Sequence, residues 1–247
     1  MASENPLHQF EIARIVPLKV GNVDVSFTNS SLFMLISVVL IIALMVFATR
    51  KTSLVPSRWQ SMAELSYEFV AKLIVENAGQ EGMKYFPFIF SLFMFILVGN
   101  FIGLVPHSFT FTSHIVVTFA LAAVVFIGVT VIGIARHGFH FLSLFVPHGV
   151  PKPLLLLLVP IEVISYFIRP FTLSIRLFAN MMAGHMILFI FASFVLPLGI
   201  AGFGIAGLIP LMVDVGLFLL EILVAALQAY VFAILTCLYL RDALYLH

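Results

Sequence analysis

The sequence has very little charge for its length. Only 9% of its 247 residues are Asp, Glu, Lys or Arg, whereas 62% are hydrophobic. A soluble domain of ordinary composition has about 25% charged residues. Because so few charges cannot coat a globule, the composition excludes a soluble protein and indicates an integral membrane protein. The formal net charge of +1 argues against nucleic acid as a partner.

Cysteine and long polar stretches are also scarce. Cys237 is the single cysteine, so no intrachain disulfide can form, and we expect its thiol to pack in an apolar core. The first residues, MASENPLHQF, have neither the basic region nor the apolar region of a cleaved signal. No polar stretch is long enough for an extramembrane domain, so function is expected in or beside the bilayer.

The chain is instead rich in long apolar runs. A helix that crosses a membrane needs about 20 apolar residues. The runs cover residues 32–49, 86–105, 115–135, 154–196 and 205–240. Each of the last two would measure ~60 Å as one helix at about 1.5 Å per residue, against about 30 Å of hydrocarbon. Because Pro160 and Pro170 have no Gly or Asn beside them to make a reversal, we favour kinked, tilted helices over split pairs.

A shorter segment, residues 58–78, is amphipathic. Its apolar residues recur at helical intervals, and charged residues such as Glu64 and Lys72 occupy the other face. The pattern favours a helix in the membrane surface, with docking on another chain as the alternative. The predicted fold is therefore a single all-α integral membrane domain, 1–247. It has about five membrane-crossing helices, the last two long and tilted, plus one amphipathic surface helix.

Basic residues predict the orientation. They flank the connections around residues 50–58 and 136–152, whereas 106–114 and 197–207 contain no Lys or Arg. Cytoplasmic loops are enriched in basic residues. We therefore expect the N-terminal segment, 1–30, to lie outside and the C-terminus to be cytoplasmic. The sequence shows no internal repeat, so an inverted-repeat transporter is not supported.

Ionisable residues interrupt the last two apolar runs. Those with fixed or acidic charge are Glu162, Arg169, Arg176, Asp214 and Glu221. Each costs at least about 2–3 kcal/mol in lipid and needs a partner or a water-filled cavity. Glu162, Arg169 and Arg176 are seven residues apart, as are Asp214, Glu221 and Gln228, so each set follows one helix face with a drift of about 20° per step. Buried hydrogen bonds between helices would explain isolated polar residues. They account poorly for two arginines and three carboxylates, so we favour a charge pathway.

His185 lies nine residues after Arg176, which places it on the opposite side of the same helix. If the last two helices are antiparallel and His185 pairs with Glu221, the level of Arg176 meets the other helix near Gln228. This layering predicts two polar routes, one from each side of the membrane, with a permanent cation between them. A histidine opposite a carboxylate is suited to relaying protons.

Several stretches resemble one known family. "SIRLFANMMAGH", "VPIEVISYFIRP", "LEILVAALQAYVF" and "GNFIGLVP" are similar to subunit a of the F-type ATP synthase, and the resemblance covers nearly the whole chain. It implies a stationary proton channel beside a rotating ring of c subunits. It also implies that the two long helices lie steeply tilted against that rotor.

The resemblance carries roles to individual residues. Arg176 matches the essential arginine, Asn180 its neighbouring asparagine, and Gln228 the glutamine that faces the arginine. Glu162 and Ser165 match polar residues of the cytoplasmic half-channel. The outer half-channel is expected to contain Asn100, Asp214, His185 and Glu221. Many bacterial members have Glu and His where this chain has His185 and Glu221 respectively, and this exchange supports contact between the two positions.

The implied partners are the c-subunit ring, b-type peripheral stalk subunits, the rest of the ATP synthase, the lipid bilayer and protons. The expected location is a bacterial inner membrane, with the mitochondrial inner membrane as the alternative. We expect no cofactor, no metal and no bond chemistry, since the chain has no P-loop, Cys/His cluster or nucleophile constellation. Two alternatives remain. A self-contained ion channel or proton-coupled secondary transporter would need its own substrate site. A quinone-linked haem subunit would need facing histidine pairs, whereas most histidines fall in predicted loops: His107, His114, His137, His140 and His148.

Overall fold

The structure is a computed structural model, and it describes residues 11–17, 19–20, 23–24, 26–50, 56–105, 108–138, 141, 145–146, 152–201 and 207–245. This described part is mainly helical. Its α-helices are α1 (Asn29–Thr49), α2 (Arg58–Gly82), α3 (Phe86–Gly103), α4 (Ile115–His137), α5 (Lys152–Ala201) and α6 (Leu208–Leu244). Short 3-10 turns cover Met83–Tyr85 and Phe111–Ser113. The first ten residues of the predicted outer segment, 1–30, lie outside the described residues.

Two short antiparallel strand pairs precede α1. Strand β1 (Arg14–Val16) pairs with β4 (Phe27–Thr28). Between them, β2 (Lys19–Val20) pairs with β3 (Val23–Asp24). These pairs span only two or three residues each, so they leave the all-α class unchanged.

Within the described residues, five helical stretches are long and apolar enough to cross a membrane. They are Asn29–Thr49, Arg58–Gly103, Ile115–His137, Leu154–Ile200 and Leu208–Leu244. The all-α membrane class predicted from the apolar runs is therefore confirmed, and the protein is a membrane protein. Many apolar side chains on these helices are exposed, as expected for a surface that meets lipid.

The last two helices are each continuous. α5 has 50 residues and α6 has 37, so neither is a split pair of spans. α5 continues to Ala201, past the predicted end at residue 196. Staying helical is favourable there because it satisfies backbone N–H and C=O groups that lipid cannot pair.

The chain divides into two compact units. Unit 1 comprises Met1–Ile41, Phe95–His114 and Leu177–Ala229. In its core, Phe111 is 1% exposed, and its ring packs against Gly99, where a Cβ would clash with it. Gly99 therefore allows close packing of the turn that follows α3.

Unit 2 comprises Ile42–Met94, Ile115–Arg176 and Tyr230–His247. Its core includes Cys237, which is free and fully buried, so the thiol packs in an apolar core as predicted.

The amphipathic helix α2 contributes to the core of unit 2. Val70 and Ile74 are fully buried, and the Phe69 ring lies 5.6 Å from that of Phe93. Nearer its start, α2 exposes Trp59 and Leu65. Its placement on the membrane surface stays a prediction.

Candidate functional site

A histidine and a glutamate meet inside unit 1. Nδ1 of His185 on α5 lies 3.8 Å from Oε1 of Glu221 on α6. Glu221 is only 3% exposed, and neither of its carboxylate oxygens has a hydrogen-bond donor among the described residues. The structure thus brings together the two residues that the sequence suggested as a pair.

Gly184 leaves the space that the Glu221 carboxyl group occupies. A Cβ built on Gly184 would lie 2.5 Å from Oε1 and 2.9 Å from Cδ of Glu221. Any larger residue at position 184 would force the carboxyl group to move. A small residue beside the histidine is therefore part of the site, although a lone glycine in an apolar helix carries no such signal in the sequence.

The other ring nitrogen of His185 contacts a threonine that the sequence did not single out. Nε2 lies 3.0 Å from Oγ1 of Thr110, and the same hydroxyl donates to the carbonyl oxygen of Gly103 at 3.2 Å. Thr110 is 4% exposed. Its position was not predictable because it lies in the connection between α3 and α4, 75 residues from His185 along the chain.

A cavity of about 440 Å³ opens beside this pair. Its polar lining comes from Ser108, Thr110, His185 and Asp214, with apolar side chains such as Phe189 and Phe218 completing the wall. One carboxylate oxygen of Asp214 is buried and has no hydrogen-bond partner among the described residues. The cavity has room for several waters, each of about 30 Å³. It is therefore suited to conducting protons between solvent and the His185–Glu221 pair.

Asn100 joins α3 to α6 within the same unit. It is fully buried, and its side-chain amide donates to the carbonyl oxygen of Ala225 at 3.2 Å. Ala225 lies one helical turn beyond Glu221, so Asn100 fixes the segment of α6 that carries the carboxylate. Gln228, the next polar residue along α6, is 5% exposed. Its predicted pairing with Arg176 stays a prediction.

Arg176 is exposed in the middle of an apolar helix. The adjacent Ile175 is 51% exposed, whereas Leu173 and Leu177 are buried. Among the described residues, no carboxylate forms an ion pair with Arg176. Asn180, one turn later, is half-buried. A guanidinium stays charged at any physiological pH, so this face presents a permanent cation within an apolar surface.

Arg169, seven residues earlier, has a different environment. Its Nη1 donates to Oδ2 of Asp242 at 2.8 Å, and its guanidinium carbon lies 5.5 Å and 5.0 Å from the ring centroids of Tyr166 and Tyr239. The shared spacing placed both arginines in one charge pathway, but Arg169 is neutralised within unit 2. The sequence missed this pair because Asp242 follows the predicted end of the last helix at residue 240.

Glu162 and Ser165 lie near the start of α5. Glu162 is half-buried and Ser165 is exposed. Among the described residues, neither side chain has a hydrogen-bond or ion-pair partner. Both are therefore available to water or to another subunit.

Two of the five histidines predicted in loops are described, and the prediction was wrong for His137, which is the last residue of α4. The His114 ring stacks on Phe109 with 5.0 Å between centroids, and burial lowers the pKa of His114, which favours the neutral ring at pH 7. Nε2 of His137 lies 3.2 Å from the carbonyl oxygen of Leu244. His107, His140 and His148 lie outside the described residues. Within the described part, no group of three or more His, Cys, Asp or Glu residues could hold a metal ion.

The sequence has a family and close relatives. The family model for the ATP synthase A chain matches residues 31–241. The protein named ATP synthase subunit a from Paramagnetospirillum magneticum is 56% identical over 246 residues, covering 98% of this chain and 99% of the relative. The proteins of the same name from Rhodospirillum rubrum and Pelagibacter ubique are 55% identical over 243 residues and 56% identical over 244 residues, with at least 98% of each chain covered. The chain therefore belongs to the ATP synthase A chain family.

Proposed function

We propose that the chain is the proton-conducting stator subunit of an F-type ATP synthase. The observation that carries the proposal is the exposure of Arg176. A permanent cation costs at least about 2–3 kcal/mol in lipid unless it is paired or hydrated. Since no carboxylate among the described residues of this chain pairs with it, the partner is expected from another subunit. A ring of c subunits with membrane-embedded carboxylates would supply that partner.

The cavity beside His185 serves as the outer half-channel in this proposal. A proton enters from outside past Asp214, reaches the His185–Glu221 pair and passes to a ring carboxylate. Asn100 holds α6 in register for this transfer. The protonated carboxyl group can then rotate through lipid, where its charged form would be far more costly.

Proton release occurs on the cytoplasmic side of Arg176. After nearly a full turn, the ring carboxyl group reaches the region of Glu162 and Ser165 and then approaches Arg176. A nearby cation lowers the pKa of a carboxylic acid by about 1–3 units, so Arg176 favours release there. Asn180 and Gln228 would hold the guanidinium in place. The same positive charge repels protons and prevents a direct leak between the two half-channels.

The driving force comes from the membrane rather than from bond chemistry in this chain. Each proton that crosses ~100 mV gains about 2.3 kcal/mol, to which a pH gradient adds. Rotation would couple that free energy to ATP synthesis in other subunits. The assembly implied is a c-subunit ring, b-type stalk subunits and the catalytic head, in a bacterial inner membrane. The N-terminus would lie outside and the C-terminus in the cytoplasm.

A self-contained channel or transporter is the main alternative. Such a protein would direct its intramembrane charges towards its own interior. The exposure of Arg176 counts against it, because this cation lies exposed rather than buried among the described residues.

Site-directed photocrosslinking tests the proposal. In a Cys237→Ser background, a photoreactive maleimide would be attached at Ile175→Cys, beside Arg176, and at Val39→Cys on α1 as the control. Both positions are apolar and exposed, at 51% and 55%. After illumination of the purified complex, we expect a ring subunit to be joined to position 175 and not to position 39. Labelling of lipid alone at position 175 in an intact complex would contradict the proposal.

A further inference from the structure

The hydroxyl group of Thr110 bridges His185 and the end of α3. It lies 3.0 Å from Nε2 of His185 and 3.2 Å from the carbonyl oxygen of Gly103. The bridge is enclosed, since Thr110 is 4% exposed and the carbonyl belongs to the last residue of α3. All three residues belong to unit 1.

The direction of these hydrogen bonds follows from counting protons. A threonine hydroxyl has one hydrogen and can donate once. The last carbonyl groups of a helix have no intrahelical donor, so the Gly103 carbonyl needs one from outside the helix. Ser108 is the other nearby hydroxyl, but it lies closer to the Val105 carbonyl oxygen, at 2.7 Å, than to that of Gly103, at 3.2 Å. Thr110 therefore donates to Gly103 and can only accept from His185.

Because Thr110 accepts a hydrogen bond from Nε2, it determines which nitrogen of neutral His185 carries hydrogen. A neutral imidazole has one N–H, and a hydrogen bond at one nitrogen selects the tautomer. If Nε2–H donates to Thr110, Nδ1 keeps its lone pair. Nδ1 is the atom that faces Oε1 of Glu221 at 3.8 Å.

We propose that Thr110 is a positioning residue that holds His185 in the Nε2–H tautomer, so that Nδ1 is the atom that passes protons to Glu221. The inference rests on the proposed proton-conducting function and adds a specific atom and direction to it. According to this inference, the Thr110 hydroxyl group orients His185, so the histidine can pass a proton to Glu221 without rotating its ring.

The proton transfer then has a simple balance. A proton that arrives on Nδ1 converts His185 to imidazolium, which keeps its Nε2–H bond to Thr110. When Nδ1 and Oε1 approach by about 1 Å, they reach hydrogen-bond distance. The Nδ1–H bond breaks, an O–H bond forms on Glu221, and His185 returns to the neutral Nε2–H tautomer. No oxidant, reductant or other reactant is needed.

The opposite tautomer would block this step. With hydrogen on Nδ1, neutral His185 would donate to Glu221 and could not accept a proton there. Gly103 protects the correct arrangement sterically, because a Cβ at position 103 would lie 2.6 Å from Oγ1 of Thr110. Position 103 therefore offers a second, independent way to displace the hydroxyl group.

The first test reads the tautomer directly. The purified complex would be labelled with ¹⁵N-histidine and studied by solid-state NMR, with the His185 signals assigned by their loss in His185→Gln. We expect neutral His185 to carry hydrogen on Nε2 in the wild type and in Thr110→Ser. In Thr110→Val and Gly103→Ala we expect a shift towards Nδ1–H. Nδ1–H in the wild type, or an unchanged tautomer in both displacing variants, would overturn the inference.

Ser108→Ala is the matched control for the tautomer measurement. The Ser108 hydroxyl also lies within hydrogen-bond distance of carbonyl oxygens near the end of α3, but none of these contacts involves His185. We expect Ser108→Ala to leave the Nε2–H tautomer unchanged. If it shifts the tautomer as Thr110→Val does, the effect comes from loosening the end of α3, and Thr110 has no specific role.

The second test measures proton transport by the same variants in vesicles. We expect Thr110→Val to slow transport about tenfold, the size of one lost hydrogen bond, and Thr110→Ser to restore it to within about twofold. A tautomer shift with unchanged transport would refute the role of Thr110 in the relay. Full transport by His185→Gln would instead refute the proposed function, while leaving the tautomer assignment of His185 intact.

Discussion

Arg169 and Arg176 share one helix and one face, yet their surroundings in the structure differ. Arg169 forms an ion pair with Asp242 at 2.8 Å and lies over the rings of Tyr166 and Tyr239. Arg176 is exposed among apolar side chains and forms no ion pair with the described carboxylates. One charge is compensated inside the chain, and the other is presented outwards.

We interpret this difference as one between a structural charge, Arg169, and a charge with the proposed function, Arg176. A buried or half-buried ion pair that loses one partner leaves an uncompensated charge, so Arg169 and Asp242 depend on each other for stability. Removing Arg176 leaves no unpaired carboxylate among the described residues, because none forms an ion pair with it. Its cost is expected in activity instead, because its partner belongs to the proposed rotor.

The largest expected effect comes from replacing Arg176 with lysine. We predict that Arg176→Lys lowers ATP-driven proton pumping at least about 100-fold, because a lysine on an apolar surface within the membrane can lose its charge whereas arginine cannot. Pumping would be followed in reconstituted vesicles with a pH-sensitive dye.

The matched control is Arg169→Lys, which we expect to pump within about threefold of the wild type, since a lysine can still pair with Asp242. If both lysine variants pump normally, Arg176 is not the barrier. If both fail, the distinction between the two arginines is wrong.

An intermediate effect is expected from Gly184→Ala. The new Cβ would lie 2.5 Å from Oε1 of Glu221, so the carboxyl group must move away from His185. Because the far end of a flexible side chain can shift, we expect the complex to assemble normally. Proton transport should fall about 10-fold to 100-fold, up to the lower end of the roughly 100-fold to 10,000-fold range of acid–base catalysis, because the carboxyl group is displaced rather than removed.

Gly128→Ala on α4 is the matched control, since nothing lies within 4 Å of a Cβ at that position. It should transport protons at the wild-type rate. Wild-type transport by Gly184→Ala would show that the position of the Glu221 carboxyl group does not limit proton flow.

A smaller effect, on stability, is expected at the Arg169–Asp242 ion pair. Arg169→Met should lower the free energy of unfolding by about 1–2 kcal/mol, a reduced value because the two side chains are 24% and 38% exposed. Asp242→Asn should cost about as much, and the double variant less than the sum. The midpoint of thermal unfolding of the purified complex would measure the coupling. Strictly additive losses would mean that the pair contributes nothing as a pair.

The smallest effect is expected from Thr130→Val. Oγ1 of Thr130 lies 2.7 Å from the hydroxyl of Tyr166, one of the two rings around Arg169. Losing this hydrogen bond should cost about 0.5–1.5 kcal/mol of stability. Proton pumping should be unchanged, because the Thr130–Tyr166 hydrogen bond supports only the surroundings of Arg169. A pumping defect as large as that of Arg176→Lys would show that the contacts around Arg169 also control proton pumping, and the distinction between the two arginines would be wrong.

Much of the fold was readable from local sequence patterns. Apolar runs predicted the all-α membrane class and the two long helices, since each helix satisfies its own backbone in lipid. Spacing along one helix placed His185 opposite Arg176. The family resemblance through "SIRLFANMMAGH" also required only the order of residues.

Contacts between distant segments were decided by the tertiary structure. Thr110 reaches His185 across 75 residues of chain, Asp242 reaches Arg169 across 73, and Gly184 makes room for Glu221. A helical period specifies which face a side chain occupies, but it does not specify the register between two helices or the path of a connection. The sequence by itself therefore determined where the membrane charges lie, and only the packing of the helices decided which are paired within the chain and which stay exposed.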